Sequence, residues 1–220
     1  LMSKAVADGA RIFDAQAVTY DNTPEAVFVT LDNGRTIETG HVVLATGYVM
    51  PDFISSGLHR TSSSGAIATP PQEPAVLWRD GALIWESSEA YSYLRTTTDN
   101  RIIMGGEDDP AICEPAARNA AMPAKTATIL AKLATLCPEA NASAEYVWSG
   151  TFGETDDGLP LIGAVPGRDR VFAAYGYGGN GITFSYLAAQ MIGEIIAGRE
   201  RPWFDDFAID RDVPKYVDGL

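Results

Sequence analysis

The sequence predicts an α/β fold with two lobes, and three observations support this. A series of short strands leads into His41-Val42-Val43-Leu44-Ala45, a continuous apolar run typical of a buried parallel strand. Strand candidates in the middle of the chain are spaced as in an antiparallel sheet. A further strand candidate, Val171–Tyr175, leads through a glycine-rich loop into a predicted helix. We therefore expect one α/β lobe from residues 1–50 and 148–220, and an antiparallel α+β lobe from residues 53–147.

The first lobe opens with a predicted helix that ends at Gly9, since glycine is common just beyond a helix C-terminus. Because the first residues already have a helical pattern, we expect the sequence to be part of a longer protein. Runs rich in β-branched and aromatic residues then predict strands, with a hairpin turn at Asp32-Asn33-Gly34. These strands are Ala10–Phe13, Ala15–Tyr20, Ala26–Leu31 and Arg35–Glu38.

The second lobe follows residues 51–75, whose Ser, Gly and Pro content predicts a crossing between lobes. Glu107-Asp108-Asp109 is interpreted as a solvated turn. The alanine-rich segment Pro115–Leu136 has an apolar period of about 3.6 residues and predicts a helix, with its main part starting at Pro123. The other predicted elements are the strands Ala82–Glu86, Tyr91–Thr97, Arg101–Gly105 and Glu145–Phe152, and the helix Gly181–Ala197.

Composition and charge exclude several classes of partner. The net charge of −13 and the absence of any Lys/Arg run longer than two residues argue against nucleic acid, which needs a basic surface. The longest apolar stretch, Ile182–Ala197, contains Gln190 and Glu194 and is shorter than the roughly 20 residues of a membrane span. We expect neither a nucleic-acid partner nor a membrane-spanning segment.

The cysteines and histidines predict no metal centre. Cys113 and Cys137 are far apart in the sequence, and the two histidines, His41 and His59, form no metal-ligand spacing. Two cysteines also give no disulfide framework, which favours a reducing compartment, the cytoplasm, and buried structural thiols.

The loop Gly176-Tyr177-Gly178-Gly179-Asn180-Gly181 formally matches the dinucleotide fingerprint G-x-G-x-x-G. That fingerprint belongs to a βαβ unit with an acidic ribose ligand about 20 residues further on. Here the helix ends at Gly198, and the tail Pro202–Leu220 offers no convincing second buried strand. We therefore interpret the loop either as a tight packing turn or as an electropositive seat for a ligand at a helix N-terminus.

An ordered series of segments resembles the C-terminal half of the D-amino-acid oxidase-like (DAO) family of FAD oxidoreductases. The series covers nearly the whole chain. Its segments are His41–Tyr48, Tyr91–Gly106, Trp148–Gly150 continuing through Asp157–Gly163, and Tyr175–Ser185.

The resemblance implies an incomplete FAD-binding domain of Rossmann type (GR2-like) joined to the antiparallel substrate domain. It implies non-covalent FAD, since neither cysteine lies near the segment where some members attach flavin. The implied contacts are Val18 at the adenine, the turn Ala45-Thr46-Gly47 along the dinucleotide, Asp157 and Pro160 beside the ribityl and ring region, and Gly179, Asn180, Gly181, Ile182 and Thr183 under the pyrimidine edge of the flavin. A helix N-terminus at that edge would stabilise the negative charge of reduced flavin.

The resemblance also implies a substrate face built by Tyr91, Tyr93 and Arg95. Amino-acid-oxidising members often place an arginine where this sequence has Phe152, and that arginine grips the substrate carboxylate. Two readings stay open: Arg95 replaces it, or the substrate is an amine without that anchor. Arg95 could instead pair with Glu86 or Glu107, and the tyrosines, which share a face, could pack against a helix.

The implied activity is oxidation of the C–N bond of a small-molecule amine or amino acid to an imine by hydride transfer to flavin. The family's phosphate-binding G-x-G-x-x-G lies near the N-terminus, and residues 1–50 do not supply it. An alternative is therefore a catalytically silent domain that does not bind FAD by itself.

Overall fold

The computed structural model describes residues 1–54, 56–88 and 90–212. Residues 213–220, which the sequence assigns to the first lobe, and Ser55, in the predicted crossing, lie outside the described residues. The helices are α1 (Met2–Ala7), α2 (Pro115–Leu136) and α3 (Gly181–Ile196). The strands are β1 (Ala17–Asn22), β2 (Val27–Leu31), β3 (Thr36–Thr39), β4 (Val42–Leu44), β5 (His59–Ala68), β6 (Ile84–Trp85), β7 (Ser92–Thr96), β8 (Ile102–Asp109), β9 (Tyr146–Thr155), β10 (Leu161–Ala164) and β11 (Val171–Tyr175).

The chain divides into two compact units. The first comprises residues 1–46, 161–174 and 185–220, and the second comprises residues 47–160 and 175–184. The predicted lobe boundary at residue 148 differs from this division, because β9 pairs with β5 along its whole length.

In the first unit, β1, β2 and β3 form the predicted antiparallel meander. The strand predicted at Ala10–Phe13 is wrong: these residues have no strand conformation, and the Phe13 side chain is 57% exposed. A strand needs a hydrogen-bonded neighbour, and the partner of β1 in this sheet is β2.

A second sheet of this unit has the order β10-β11-β4. The parallel pairing predicted for residues 41–45 is confirmed, with Val42 opposite Val171 and Leu44 opposite Ala173. Full burial of that run is wrong, because Val43 is 45% exposed. Within the described part of the chain β4 is an edge strand of its sheet, which leaves one side of it uncovered.

The second unit is built on a five-stranded antiparallel sheet of order β6-β7-β8-β5-β9, with α2 packed on one face. The predicted crossing at residues 51–75 is wrong, since β5 occupies most of its second half and pairs with both β8 and β9. Its Ser-Ser-Ser-Gly run has low strand propensity, and pairing on both sides outweighs that preference. The core between sheet and helix consists of Ile67, Leu94, Ile102, Met104, Ile129 and Leu133.

Helix α2 is continuous from Pro115, so the predicted start at Pro123 is wrong. Pro115 lies in the first turn of the helix. A backbone N–H at that position has no intrahelical partner, so a proline, which lacks this N–H, loses no hydrogen bond there. Pro123 lies inside the helix and removes one backbone donor there.

Candidate functional site

The face of the five-stranded sheet that points away from α2, here called the open face, carries the predicted substrate residues. Leu94 of β7 packs into the core against α2. Because side chains alternate along a strand, Tyr93 and Arg95 point to the other face, and Tyr91 continues the same row. The structure therefore brings Tyr91, Tyr93 and Arg95 together, as predicted from their spacing.

Three aromatic rings cover part of the open face. Tyr91 and Tyr93 lie with ring centroids 6.4 Å apart and planes 29° apart, and the Trp85 ring lies 6.3 Å from Tyr91. The Tyr93 ring lies over Gly105, its cross-strand partner, where any Cβ would collide with the phenol. The alternative that the tyrosines pack against the helix is wrong, because Leu94 occupies the helix side of β7.

A bulge in β8 sends Asp108 onto the open face. Ser63 of β5 pairs with Asp109, while Gly65 pairs with Gly106, so β8 carries extra chain between them. Gly106 and Glu107 take left-handed φ values of 143° and 56° there. Glu107 then reaches Lys132 of α2 at 2.6 Å, while Asp108 accepts a 2.7 Å hydrogen bond from the Tyr91 hydroxyl. The solvated turn predicted for these residues is therefore wrong.

The surroundings of both phenols favour the protonated form. The pKa of Tyr91 is raised well above its usual value, first by burial, then by the hydrogen bond and charge of Asp108, with smaller effects from Tyr93 and Glu154. The pKa of Tyr93 is raised by burial and by Asp108, while Arg95 acts in the opposite direction. Both hydroxyls keep their protons through the neutral range, and the Tyr91 proton points to Asp108.

A second carboxylate, Glu154 of β9, lies on the same face. The Ser62 hydroxyl donates to Glu154 Oε1 at 2.5 Å, and Arg60 Nε lies 3.2 Å from the same oxygen. Arg60 also pairs with Asp156, and Phe152 lies directly opposite Ser62. Sequence reasoning missed Glu154, Ser62 and Arg60. The only signal was spacing: Glu154 is two residues from Phe152 on β9, and Arg60 is two residues from Ser62 on β5, which pairs with β9.

Arg95 is exposed on the open face. Among the described residues it forms no ion pair with Glu86 or Glu107, and Glu107 is occupied by Lys132. The alternative in which Arg95 is neutralised by either glutamate is therefore not supported.

The glycine loop connects β11 to α3 in the predicted order. Gly176 and Gly178 have φ values of 72° and 53°, a conformation that favours glycine. The Gly178 N–H donates to Gly153 O of β9 at 2.8 Å, which ties the loop to the sheet. The Asn180 N–H donates to Tyr177 O, and Asn180 O accepts the first bond of α3 from Phe184.

The space beside this loop is open to a ligand. A Cβ added at Gly178 or Gly179 would meet no atom within 4 Å beyond the chain neighbours. Gly179 also lacks a positive φ, so neither conformation nor packing within the chain demands glycine there. Ile182 is 93% exposed, and the first N–H groups of a helix have no intrahelical partners. Close approach of an electron-rich ring edge is compatible with this loop, and its role toward a cofactor stays a prediction.

The other predicted cofactor residues occupy turns and strand ends. In the first unit, Val18 is 56% exposed on β1, and Ala45 and Thr46 are exposed directly after β4. In the second unit, Gly47 is exposed with φ 75°, while Asp157 Oδ1 accepts a bond from the Leu159 N–H and Pro160 is buried. Their roles toward a cofactor stay predictions.

His59, the first residue of β5, packs against β9 at Gly153, the residue whose carbonyl oxygen accepts the bond from the Gly178 N–H. Its ring makes an edge contact with Tyr175 at 5.0 Å and sits against Gly153, where an added Cβ would lie 2.5 Å from Nε2. Within the described residues Nε2 is buried without a hydrogen-bond partner. Burial lowers the pKa of His59 below its usual 6.5.

The free energy of unfolding should therefore fall as the pH drops below about 6.5, because protonation of His59 is easier in the unfolded chain. The loss should grow until the pH passes the lowered pKa of the folded state. Urea unfolding between pH 7.5 and 5.5 measures it. His59→Phe keeps a ring against Tyr175 and should flatten this dependence, whereas His41→Gln, at the other histidine, should retain it. An equally steep slope in His59→Phe would contradict the assignment.

The remaining sulfur and acidic groups form no further centre in the part of the chain that the structure describes. Cys113 Sγ lies 3.1 Å from Thr61 O, and Cys137 packs against the core, where burial raises the pKa of its thiol. Across residues 1–54, 56–88 and 90–212, no three His, Cys, Asp or Glu side chains are placed to hold a metal ion. None of the helices described combines the length and the apolar character of a membrane span.

The fold of the chain is that of glycine oxidase. The crystal structure of glycine oxidase from Geobacillus kaustophilus matches with a TM-score of 0.74 at 20% identity, over 96% of this chain and 56% of that one. The chain matches the DAO family, FAD dependent oxidoreductase, over residues 1–195, and it belongs to that family. The resemblance seen in the sequence is thereby confirmed.

Two curated relatives lie at the same level of identity. Glycine oxidase of Bacillus licheniformis is 25% identical over 94% of this chain and 57% of its own length. Gamma-glutamylputrescine oxidoreductase of Escherichia coli (strain K12) is 25% identical over 95% of this chain and 47% of its own length. The chain thus spans about half the length of the curated relatives it matches.

Proposed function

We propose that this chain supplies the substrate face and the flavin-edge loop of an FAD-dependent oxidoreductase that oxidises the C–N bond of a small amine or amino acid to an imine. The observation that carries the proposal is the connection from β11 through the glycine loop into α3, where an added Cβ at Gly178 or Gly179 would meet nothing within 4 Å. Family membership and the names of the relatives, which concern glycine and gamma-glutamylputrescine, support the reaction class.

In this proposal FAD, held non-covalently, supplies the acceptor for the hydride that leaves the carbon next to nitrogen. Gly179, Gly181, Ile182 and Thr183 would present backbone donors to the electron-rich ring edge, and Asn180, whose own N–H is bonded to Tyr177 O, would stand with them at the positive end of the α3 dipole. Val18, Ala45 and Thr46 of the first unit would contact the dinucleotide, as would Gly47 of the second, and Asp157 and Pro160 of the second unit would contact the ribityl region.

The open face has three tasks in this reaction. It would bind the substrate amine, orient the C–H bond that breaks, and exclude water while the nitrogen lone pair of the deprotonated amine forms the new C=N bond. Tyr91 and Tyr93 line the amine, and Arg95 stands at the end of their row. The imine then reacts with water to give a carbonyl product and the free amine or ammonia, and dioxygen or another acceptor takes the electrons.

A second candidate is a domain that is catalytically silent by itself. The observation that favours it is β4: a parallel strand is normally covered on both faces, yet Val43 is 45% exposed, and among the described residues β4 is the last strand of its sheet. In our proposal, a further strand bearing the phosphate-binding glycines pairs there, and FAD binding needs it.

The visible absorption of bound flavin distinguishes the enzyme from the silent domain. The complete gene product that contains this chain and the 220-residue chain alone are purified, incubated with FAD and freed of excess cofactor. We expect the complete protein to retain the visible bands of oxidised flavin and the short chain to retain less or none. A colourless complete protein would contradict the enzyme proposal and leave the silent domain.

A further inference from the structure

Next to Tyr91 the open face lacks both groups that would hold a substrate carboxylate, and its exposed guanidinium, Arg95, lies four residues further along the row. Phe152 stands on β9 where an arginine would form a bidentate pair with a carboxylate. A phenol that donates to a substrate carboxylate could replace it, but the proton of Tyr91 is directed to Asp108 at 2.7 Å. The Tyr91 oxygen therefore has only acceptor capacity left, and an acceptor binds an N–H donor and not a carboxylate.

The charges that act on the Tyr91 hydroxyl also disfavour a carboxylate there. Asp108 and Glu154 both raise the pKa of the Tyr91 hydroxyl, so the potential at that oxygen is negative. Ser62 and Arg60 both donate to Oε1 of Glu154. Within the described residues Oε2 has no hydrogen-bond donor, which leaves this oxygen able to accept from a cationic group.

Aromatic rings next to these carboxylates complete an environment for a cation. Trp85, Tyr91 and Tyr93 form a row of neighbouring rings on the same face. Ring faces attract ammonium groups, and they also accommodate a methylene chain.

We propose, on the basis of the proposed function, that the substrate is a diamine or polyamine with no carboxylate on the reacting carbon, and that Asp108 and Glu154 are specificity-determining residues. One amino group releases its proton to solvent and is oxidised next to the Tyr91 oxygen. A second, cationic amino group is held by Glu154. A substrate carboxylate beside Tyr91 meets two like charges, while Arg60 is already paired with Glu154 and Asp156 and Arg95 lies four residues further along the row.

The test uses the flavin-loaded complete protein and three probes: butane-1,4-diamine, butylamine and the α-amino acid norvaline. Butylamine has the same chain and reacting end as the diamine but no second cation. Anaerobic bleaching of the flavin gives kcat/KM for each probe, and calorimetry gives the affinity for the diamine without turnover. We expect the diamine to exceed butylamine by roughly tenfold or more, the loss typical of one charged hydrogen-bond partner, and norvaline to be the poorest.

Two variants test which residues determine the preference for a diamine. Glu154→Gln keeps the shape and removes the charge, and it should reduce the diamine-to-butylamine ratio and the diamine affinity by about tenfold. Phe152→Arg should shift the relative kcat/KM toward norvaline, with thermal unfolding as the check that it is folded. Glu139→Gln, at an exposed glutamate of the same unit beyond α2, is the matched control and should keep the wild-type ratio.

Each outcome decides the inference. A diamine-to-butylamine ratio near one, an unchanged ratio in Glu154→Gln, or norvaline as the best probe would overturn it while the proposed function stands. Flavin that no amine bleaches would overturn the proposed function, and the substrate class with it.

Discussion

Gly106→Ala should destabilise the protein by about 2–4 kcal/mol and weaken the contact between Tyr91 and Asp108. At φ 143° this residue has a backbone conformation that side chains rarely adopt, which alone costs about 1–3 kcal/mol. The added Cβ would also lie 2.6 Å from the Tyr91 carbonyl oxygen, which is backbone and cannot rotate away. The bulge must therefore rearrange, and Asp108 lies two residues further on.

Urea unfolding measures the loss of stability, and the affinity for an amine ligand measures the second effect. Gly150→Ala is the matched control, because Gly150 lies in β9 of the same sheet and a Cβ there would meet nothing within 4 Å. That variant should stay within about 0.5 kcal/mol of the wild type. Equal unfolding midpoints for the two variants would show that the bulge accommodates a side chain at position 106, which contradicts the prediction.

Leu133→Ala should cost about 2–5 kcal/mol, the usual range for a buried leucine that leaves a cavity. Leu133 is fully buried in the core between α2 and the sheet, among Leu94, Met104 and Ile129. The sheet is positioned by this core, and the open face is the other side of the same strands.

Leu136→Ala provides a control with the same change on the same helix. Leu136 is 57% exposed, so its loss should cost no more than about 0.5 kcal/mol. Chemical unfolding of both variants, followed by far-ultraviolet circular dichroism, gives the two values. If Leu136→Ala proved as costly as Leu133→Ala, the packing of α2 described above would be wrong.

Local sequence patterns were sufficient to predict the elements in which the spacing of apolar residues follows from which side chains are buried. The run ending at Leu44, the helix ending near Leu136 and the strand–loop–helix after Val171 were all predicted close to their observed bounds. Tyr91, Tyr93 and Arg95 could be placed on one face because two-residue spacing on a strand fixes that geometry.

The failures concern features that depend on distant partners. β5 was missed because Ser62, Ser63 and Ser64 are poor strand formers, and only pairing with β8 and β9 holds them extended. Asp108 was assigned to a solvated turn because a bulge cannot be inferred from one strand; it arises from the register of β8 against β5. Glu154 gave no signal of its own until β9 was placed beside β5.

The glycine loop illustrates a different limit. Its G-x-G-x-x-G spacing matches a phosphate-binding motif, and only the missing second strand and acidic ligand argued against that interpretation. The structure adds that Gly179 has an ordinary backbone and an open side, a feature that the spacing alone could not reveal.

The most direct test of the central claim is the visible spectrum of the complete, FAD-loaded protein when an amine is added without oxygen. The proposed function predicts that the bands of oxidised flavin bleach at a rate that depends on amine concentration, and return when air is admitted or another electron acceptor is added. A flavin spectrum that no amine or amino acid changes, in a protein that is folded and carries FAD, would contradict it.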